Sequence, residues 1–99
     1  MTISEFNTIV SSNKVVVVDF FASWCGPCQM LAPIFLKLEK KYVNVKFVKI
    51  NVDENQELSS KFNITSIPTV LFFKEGKKTS SFIGFRDESY IENEISKIN

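Results

Sequence analysis

Val15-Val16-Val17-Val18-Asp19-Phe20-Phe21-Ala22-Ser23-Trp24-Cys25-Gly26-Pro27-Cys28 is the stretch on which the reading of this chain turns. Its first half is a continuous β-branched and aromatic run, the pattern of a strand buried on both faces. Its second half carries the only two cysteines in 99 residues, spaced C-x-x-C. A helical pattern follows at once. Residues Met30, Leu31, Ile34, Phe35 and Leu38 mark one side from Pro27 to Tyr42, and Lys37, Lys40 and Lys41 the other. Proline in the first turn is a common helix-start device. Two thiols one turn apart at a helix start are placed to alternate between dithiol and disulfide.

Outward from this segment the elements alternate. Upstream, Ser4 to Ser12 has Phe6, Ile9 and Val10 at helical spacing, and Thr2 with Glu5 fits a capping box. Downstream, Val45 to Val52 reads as a strand and Asp53 to Phe62 as a short helix with Leu58 and Phe62 inward. Thr69 to Lys74 is a third strand, Glu75-Gly76-Lys77 a hairpin turn, and Thr79 to Ile83 the returning edge strand. Asp87 caps a last helix whose apolar stripe is Tyr90, Ile91, Ile95 and Ile98. Pro33 lies inside the second helix and removes a hydrogen bond there, which predicts a kink. The order is αβαβαββα. Crossover helices predict parallel, right-handed connections, and the last two strands predict an antiparallel hairpin. Helices then cover both faces of a mixed sheet.

Bulk properties narrow the function. The length predicts one domain over residues 1–99 with one core. Hydrophobic residues make up 44% and charged residues 23%, ordinary for a globular chain, and the net charge of +1 gives no field to attract nucleic acid or a membrane surface. No apolar run approaches the roughly 20 residues of a membrane span. Met1-Thr2-Ile3-Ser4-Glu5 does not begin as a secretory leader does, so the cytoplasm is the expected address. Thiols there are kept reduced, which favours working cysteines over a structural staple. With two Cys and no His, the chain holds at most half of a closed zinc site, and Cys-His nucleophilic catalysis is excluded.

The residues also carry a resemblance. Val18 to Cys28, continuing Gln29-Met30-Leu31-Ala32-Pro33, closely resembles the thioredoxin family, as do Ser66-Ile67-Pro68-Thr69, Phe73-Lys74-Glu75-Gly76 and the late Gly84. The match runs from about residue 4 to the C-terminus. Cys-Gly-Pro-Cys is the inner sequence of thioredoxins, whereas related oxidants, isomerases and glutaredoxins usually carry other inner residues. The resemblance implies a thioredoxin fold, an α/β architecture with a mixed, mostly parallel sheet of four to five strands. Two departures stand out. The N-terminal strand common in the family has only Met1 to Ile3 left for it. Phe21 stands where many thioredoxins have Trp, which leaves Trp24 the sole indole.

What the resemblance implies for function is a thiol-disulfide oxidoreductase that reduces protein disulfides. Cys25 sits before unpaired helix amides that favour its thiolate. It is the expected nucleophile, exposed, and Cys28 the more buried resolver. Gly26 and Pro27 tune redox poise toward a reductant. Asp19, six residues before Cys25, is a carboxylate in an apolar strand, whose pKa desolvation raises. By resemblance it accepts the proton of Cys28, and Lys49 lies beside it. Pro68 matches the family's cis proline facing the cysteines, and Ile67 offers its backbone to an extended substrate. Trp24, Gly26, Pro27, Ile67, Pro68, Ile83, Gly84 and Phe85 form the expected apolar docking patch, with Met30 packed under the motif. No metal and no bound cofactor are expected beyond the Cys25–Cys28 disulfide. The expected partners are disulfide-containing client proteins and a separate thioredoxin reductase, a flavoprotein drawing on NADPH, with the chain a monomer. The rival readings are a redox-gated binding module without turnover, and an isomerase or oxidase on the same fold.

Overall fold

A computed structural model describes all residues from Met1 to Asn99. The elements are α1 (Ile3–Ser12), β1 (Val15–Phe21), α2 (Gly26–Lys41), β2 (Lys46–Asn51), α3 (Gln56–Lys61), β3 (Thr69–Lys74), β4 (Lys77–Ile83) and α4 (Glu88–Ile98). The four strands form one sheet in the order β2-β1-β3-β4. Met1 and Thr2 precede α1 as cap rather than strand: the Thr2 hydroxyl accepts the Glu5 amide, and the Glu5 carboxylate accepts the Thr2 amide. This reciprocal pair satisfies two of the amides that a helix start leaves open.

Alternation along β1 assigns the two faces of the sheet. Val15 and Val17 pack with Leu31, Phe35 and Leu38 of α2 and Ile91 and Ile95 of α4. Val16, Val18 and Phe20 pack with Phe6 and Val10 of α1 and Leu58 of α3. β1 is therefore buried from both sides, as its unbroken apolar run requires. Asp19, an odd-numbered residue, shares the α2 and α4 face.

The sheet is mixed, but it is not mostly parallel. β1 and β2 are parallel, whereas β1–β3 and β3–β4 are antiparallel. The reason is the reach of the connections. The 16 residues of α2 return the chain to the start of the sheet, about 24 Å at helical rise. The 6 residues of α3 span only about 9 Å. β3 therefore begins at the end where β1 and β2 finish, with Thr69 opposite Phe20, and runs back.

Other boundaries differ from the sequence expectation for local reasons. α3 starts at Gln56 rather than Asp53, because the Asp53 amide and the Asn55 side-chain amide both bond Asn51 and close a turn. β4 starts at Lys77, because Glu75 and Gly76 alone make the hairpin turn, both at positive φ. Thr79 is the extra residue of a bulge opposite Phe72 and Phe73, and its hydroxyl donates to the Phe72 carbonyl. Met30 is exposed rather than packed under the motif. α2 turns Cys28, Leu31, Phe35 and Leu38 inward. Met30 follows Cys28 by two positions, a rotation of about 200° to the outer side.

Candidate active site

The two cysteines lie where β1 hands over to α2. The Cys25 amide donates to the Ala22 carbonyl, and the Gln29 side chain donates to the Ser23 carbonyl, which folds the linking loop against the helix start. Cys25 is the N-cap of α2, and Pro27 occupies its first turn. The two sulfurs are joined as a disulfide with the Cα atoms 5.2 Å apart. The Cys28 amide donates to Cys25 Sγ at 3.2 Å. The sulfur takes the place that a Ser or Asp oxygen holds in an ordinary N-cap, and it faces the positive end of the helix dipole.

Burial does not separate the pair. Cys25 is 5% exposed and Cys28 4%, so the expected exposure of Cys25 does not hold in this disulfide form. Both cysteines lie in a small cluster with Ala22, against which Phe21, Val52 and Ile67 pack. What distinguishes the two is place. Cys25 caps the helix from outside and Cys28 lies within it.

Pro68 completes the site from the segment that leads into the neighbouring strand, β3, at the end of the sheet where β1 finishes. The Ile67–Pro68 peptide is cis. Cys25 Sγ lies 3.8 Å from the Ile67 carbonyl oxygen. The Gly84 amide donates to the Pro68 carbonyl at 2.8 Å, and Thr69 faces Ile83 across β3 and β4, so the Ile83–Phe85 segment is brought to the same rim. Gly84 has φ +88, a conformation that favours glycine. Trp24, Ile83 and Phe85 are large exposed apolar residues, and Gly26 and Pro27 are exposed beside them. Ile67 and Gly84 are half-buried and Pro68 is buried. The structure thus places Pro68 buried near Cys25, with Trp24, Ile83 and Phe85 exposed on the segments around it.

Asp19 is fully buried, and neither carboxylate oxygen has a hydrogen-bond partner. Burial pushes its pKa up to about 6, with the Lys49 charge opposing. Lys49 stands directly opposite on β2. Its ammonium makes no ion pair; it lies 4.5 Å from the centre of the Phe21 ring. No cluster of three or more His, Cys, Asp or Glu side chains assembles a metal site.

One site contact lies outside the sequence reading. Trp24 Nε1 donates to Asp53 Oδ2 at 2.9 Å. Parallel pairing of β1 and β2 sends the segments after both strands to the same end, and the Val52 amide binds the Phe21 carbonyl there. The available signal was a lone indole in need of an acceptor and an acid just past the next strand.

Comparison with known proteins agrees with this geometry. The Thioredoxin family model matches residues 1–97. A thioredoxin of Mycoplasmoides gallisepticum is 49% identical over 82 residues, covering 83% of this chain and 82% of that protein. A solved Plasmodium falciparum thioredoxin superposes with a TM-score of 0.89 at 40% identity, covering 98% of this chain and 94% of that one. A chain from a study of thiol resolution in yeast mitochondrial 1-Cys peroxiredoxin by glutathione/thioredoxin systems superposes at 0.91 with 33% identity, covering 97% and 90%.

Proposed function

The chain belongs to the thioredoxin family and is a protein-disulfide oxidoreductase, and from that premise we propose how its residues divide the work. Cys25 attacks and Cys28 resolves. The observation that carries this assignment is the amide of Cys28 donating to Cys25 Sγ at the head of α2. In the reduced protein that amide and the helix dipole stabilise negative charge on Cys25, and no equivalent donor serves Cys28.

The reaction is two thiol-disulfide exchanges. The Cys25 thiolate attacks one sulfur of a substrate disulfide. That S–S bond breaks, the departing thiolate takes a proton, and a mixed disulfide forms on Cys25. Cys28, losing its proton to Asp19, then attacks Cys25 Sγ and releases the second substrate thiol. The substrate gains two electrons and two protons, and the protein ends as the Cys25–Cys28 disulfide. Asp19 suits the acceptor role because burial brings its pKa to about 6, close to the operating pH. The Ile67 carbonyl, 3.8 Å from the attacking sulfur, aligns an extended substrate segment along the edge of Pro68. Trp24, Ile83 and Phe85 give weak apolar docking without selecting one client.

Gly26 and Pro27 set the poise toward a reductant, and Lys49 modulates Asp19. Residues 1–99 act as one monomeric domain in the cytoplasm. Re-reduction comes from a separate NADPH-linked flavoprotein reductase, since the chain has no dinucleotide fingerprint of its own. Disulfide-bearing proteins are the clients; the similarity to a chain studied with a peroxiredoxin supports thiol peroxidases among them.

Trapping tests the assignment. Cys28→Ser should accumulate client proteins joined through Cys25, and Cys25→Ser should abolish dithiothreitol-driven insulin reduction. Clients trapped instead through Cys28 in Cys25→Ser would reverse the roles. A folded, reduced wild type inert toward insulin would favour a binding module over a turnover enzyme.

A further inference from the structure

The cross-strand neighbours Asp19 and Lys49 share the α2 face of the sheet, as does Phe21 two residues on. An ammonium opposite a buried carboxylate on an adjacent strand, about 4.8 Å away backbone to backbone, has a ready partner. Yet the two do not pair. Lys49 Nζ lies diagonally across, 4.5 Å from the Phe21 ring centre, inside the range over which a ring face attracts a cation. The Lys49 stem lines a cavity of about 260 Å³ with Ala32, Pro33, Leu36 and Glu39, and the side chain is exposed. Both Asp19 oxygens are left without a protein partner.

We propose that Phe21 is a positioning residue for proton transfer: its ring holds the Lys49 ammonium off the Asp19 carboxylate, so that acid and base share one face of the sheet without pairing. The inference rests on the reading of Asp19 as proton acceptor. An ion pair with Lys49 would hold the carboxylate ionised at lower pH and make it a poorer base for Cys28. A ring in place of the pair keeps the positive charge near enough to be felt and too far to neutralise.

Other charged groups on this face are accounted for. Glu39 of α2 lines the Lys49 cavity without an ion pair to it. On α4, Glu88, Glu92 and Glu94 are engaged by Lys37, Lys41 and Lys97. β3 places the uncharged Val70 opposite Asp19. At the head of α2 stand Cys25 and Cys28, joined and without charge in the oxidised state. Lys49 is the one charge that opposes burial at Asp19.

The test follows the Asp19 carboxyl carbon by NMR through a pH titration of the oxidised chain. Phe21→Leu should lower its midpoint by about one pH unit or more, the size of effect that an adjacent opposite charge produces. Lys49→Met should raise the midpoint, and adding Phe21→Leu to Lys49→Met should then leave it unchanged. Phe21→Trp, which keeps a ring, should retain the wild-type midpoint. Phe21→Met carries the same test if Phe21→Leu does not fold. A midpoint that stays or rises in Phe21→Leu overturns the proposal, as does an equal shift with and without Lys49. The pH profile of mixed-disulfide resolution should move with the midpoint. If Asp19→Asn resolves mixed disulfides at the wild-type rate, proton transfer through Asp19 fails, while the Phe21–Lys49–Asp19 coupling stands or falls on the titration alone.

Discussion

The two faces of this sheet are built from the same strands and differ at one buried residue. The face under α1 and α3 is apolar throughout: Val16, Val18 and Phe20 of β1 meet Phe6, Val48, Ile50, Leu58, Leu71 and Phe73. Its aromatic rings stack edge to face, Phe6 with both Phe62 and Phe73 at 5.2 and 5.7 Å. The face under α2 and α4 begins alike at Val15 and Val17, then carries Asp19 where the next valine would stand. The first face stabilises the fold. The second gives up some of that stabilisation to bury a carboxylate with no hydrogen-bond partner. A single strand thus separates an all-apolar face from one that carries a buried acid by side-chain parity alone.

Moving the acid by one residue should break the comparison most sharply. Val18→Asp would place a carboxyl among Phe6, Phe20 and Leu58 with no basic residue opposite, since Val48 and Leu71 face position 18. Loss of apolar burial combines with an unpartnered buried polar group, so a destabilisation above about 4 kcal/mol is expected. Circular dichroism should show little folded protein at neutral pH. Phe20→Ala, on the same face, should cost about 3 to 5 kcal/mol in denaturant unfolding. In the fraction that remains folded, the rate of insulin reduction should stay near wild type. A large loss of activity per folded molecule would show that the apolar face also shapes the site.

Removing the acid from the second face should do the opposite. The native carboxyl of Asp19 binds its proton up to about pH 6, against an ordinary value of 3.8. Between these limits the native state holds more protons than the unfolded chain, so stability falls as pH rises through this window. Below about pH 4 Asp19 costs little, and above 6 it costs about 3 kcal/mol at most. Asp19→Asn should therefore stabilise the oxidised protein by up to that amount at pH 8 and hardly at all at pH 4. Resolution of the mixed disulfide should slow more than its formation. A stability gain independent of pH would mean that the carboxylate is not ionised against its surroundings.

Much of this contrast is legible in the residues. Four valines followed by one aspartate announce an acid without solvent, and the 3.6-residue period of α2 and α4 selects which face they cover. Strand direction is not legible in the same way, because alternation carries no arrow. The length of α3 would have revealed that β3 runs back along β1. Pairs such as Phe21–Lys49 and Trp24–Asp53 join residues 28 and 29 positions apart. They depend on the register between β1 and β2, which the two sequences leave free until both strands are seen together. Met30 shows the reverse failure: its hydrophobicity suggested burial, and only the helix phase set by Cys28, Leu31 and Phe35 corrects it.

The smallest expected effect lies at the rim where the two strands end. Trp24 is 70% exposed, yet its indole is tethered to Asp53. An exposed hydrogen bond contributes little to folding, so Asp53→Ala should change stability by less than about 1 kcal/mol. Its value is positional. Held by Asp53, the ring stands next to Cys25 in the chain as a fixed wall of the proposed docking patch; released, it should sample other rotamers and need ordering when substrate binds. That ordering should lower kcat/KM for insulin on the order of 2- to 5-fold, the equivalent of about 0.5 to 1 kcal/mol. Because Trp24 is the only tryptophan in the chain, its fluorescence anisotropy reports the release directly. Faster indole motion with unchanged kcat/KM would assign the tether to the fold of the loop alone. Slower turnover with unchanged motion would point to the Asp53 charge itself at the substrate rim.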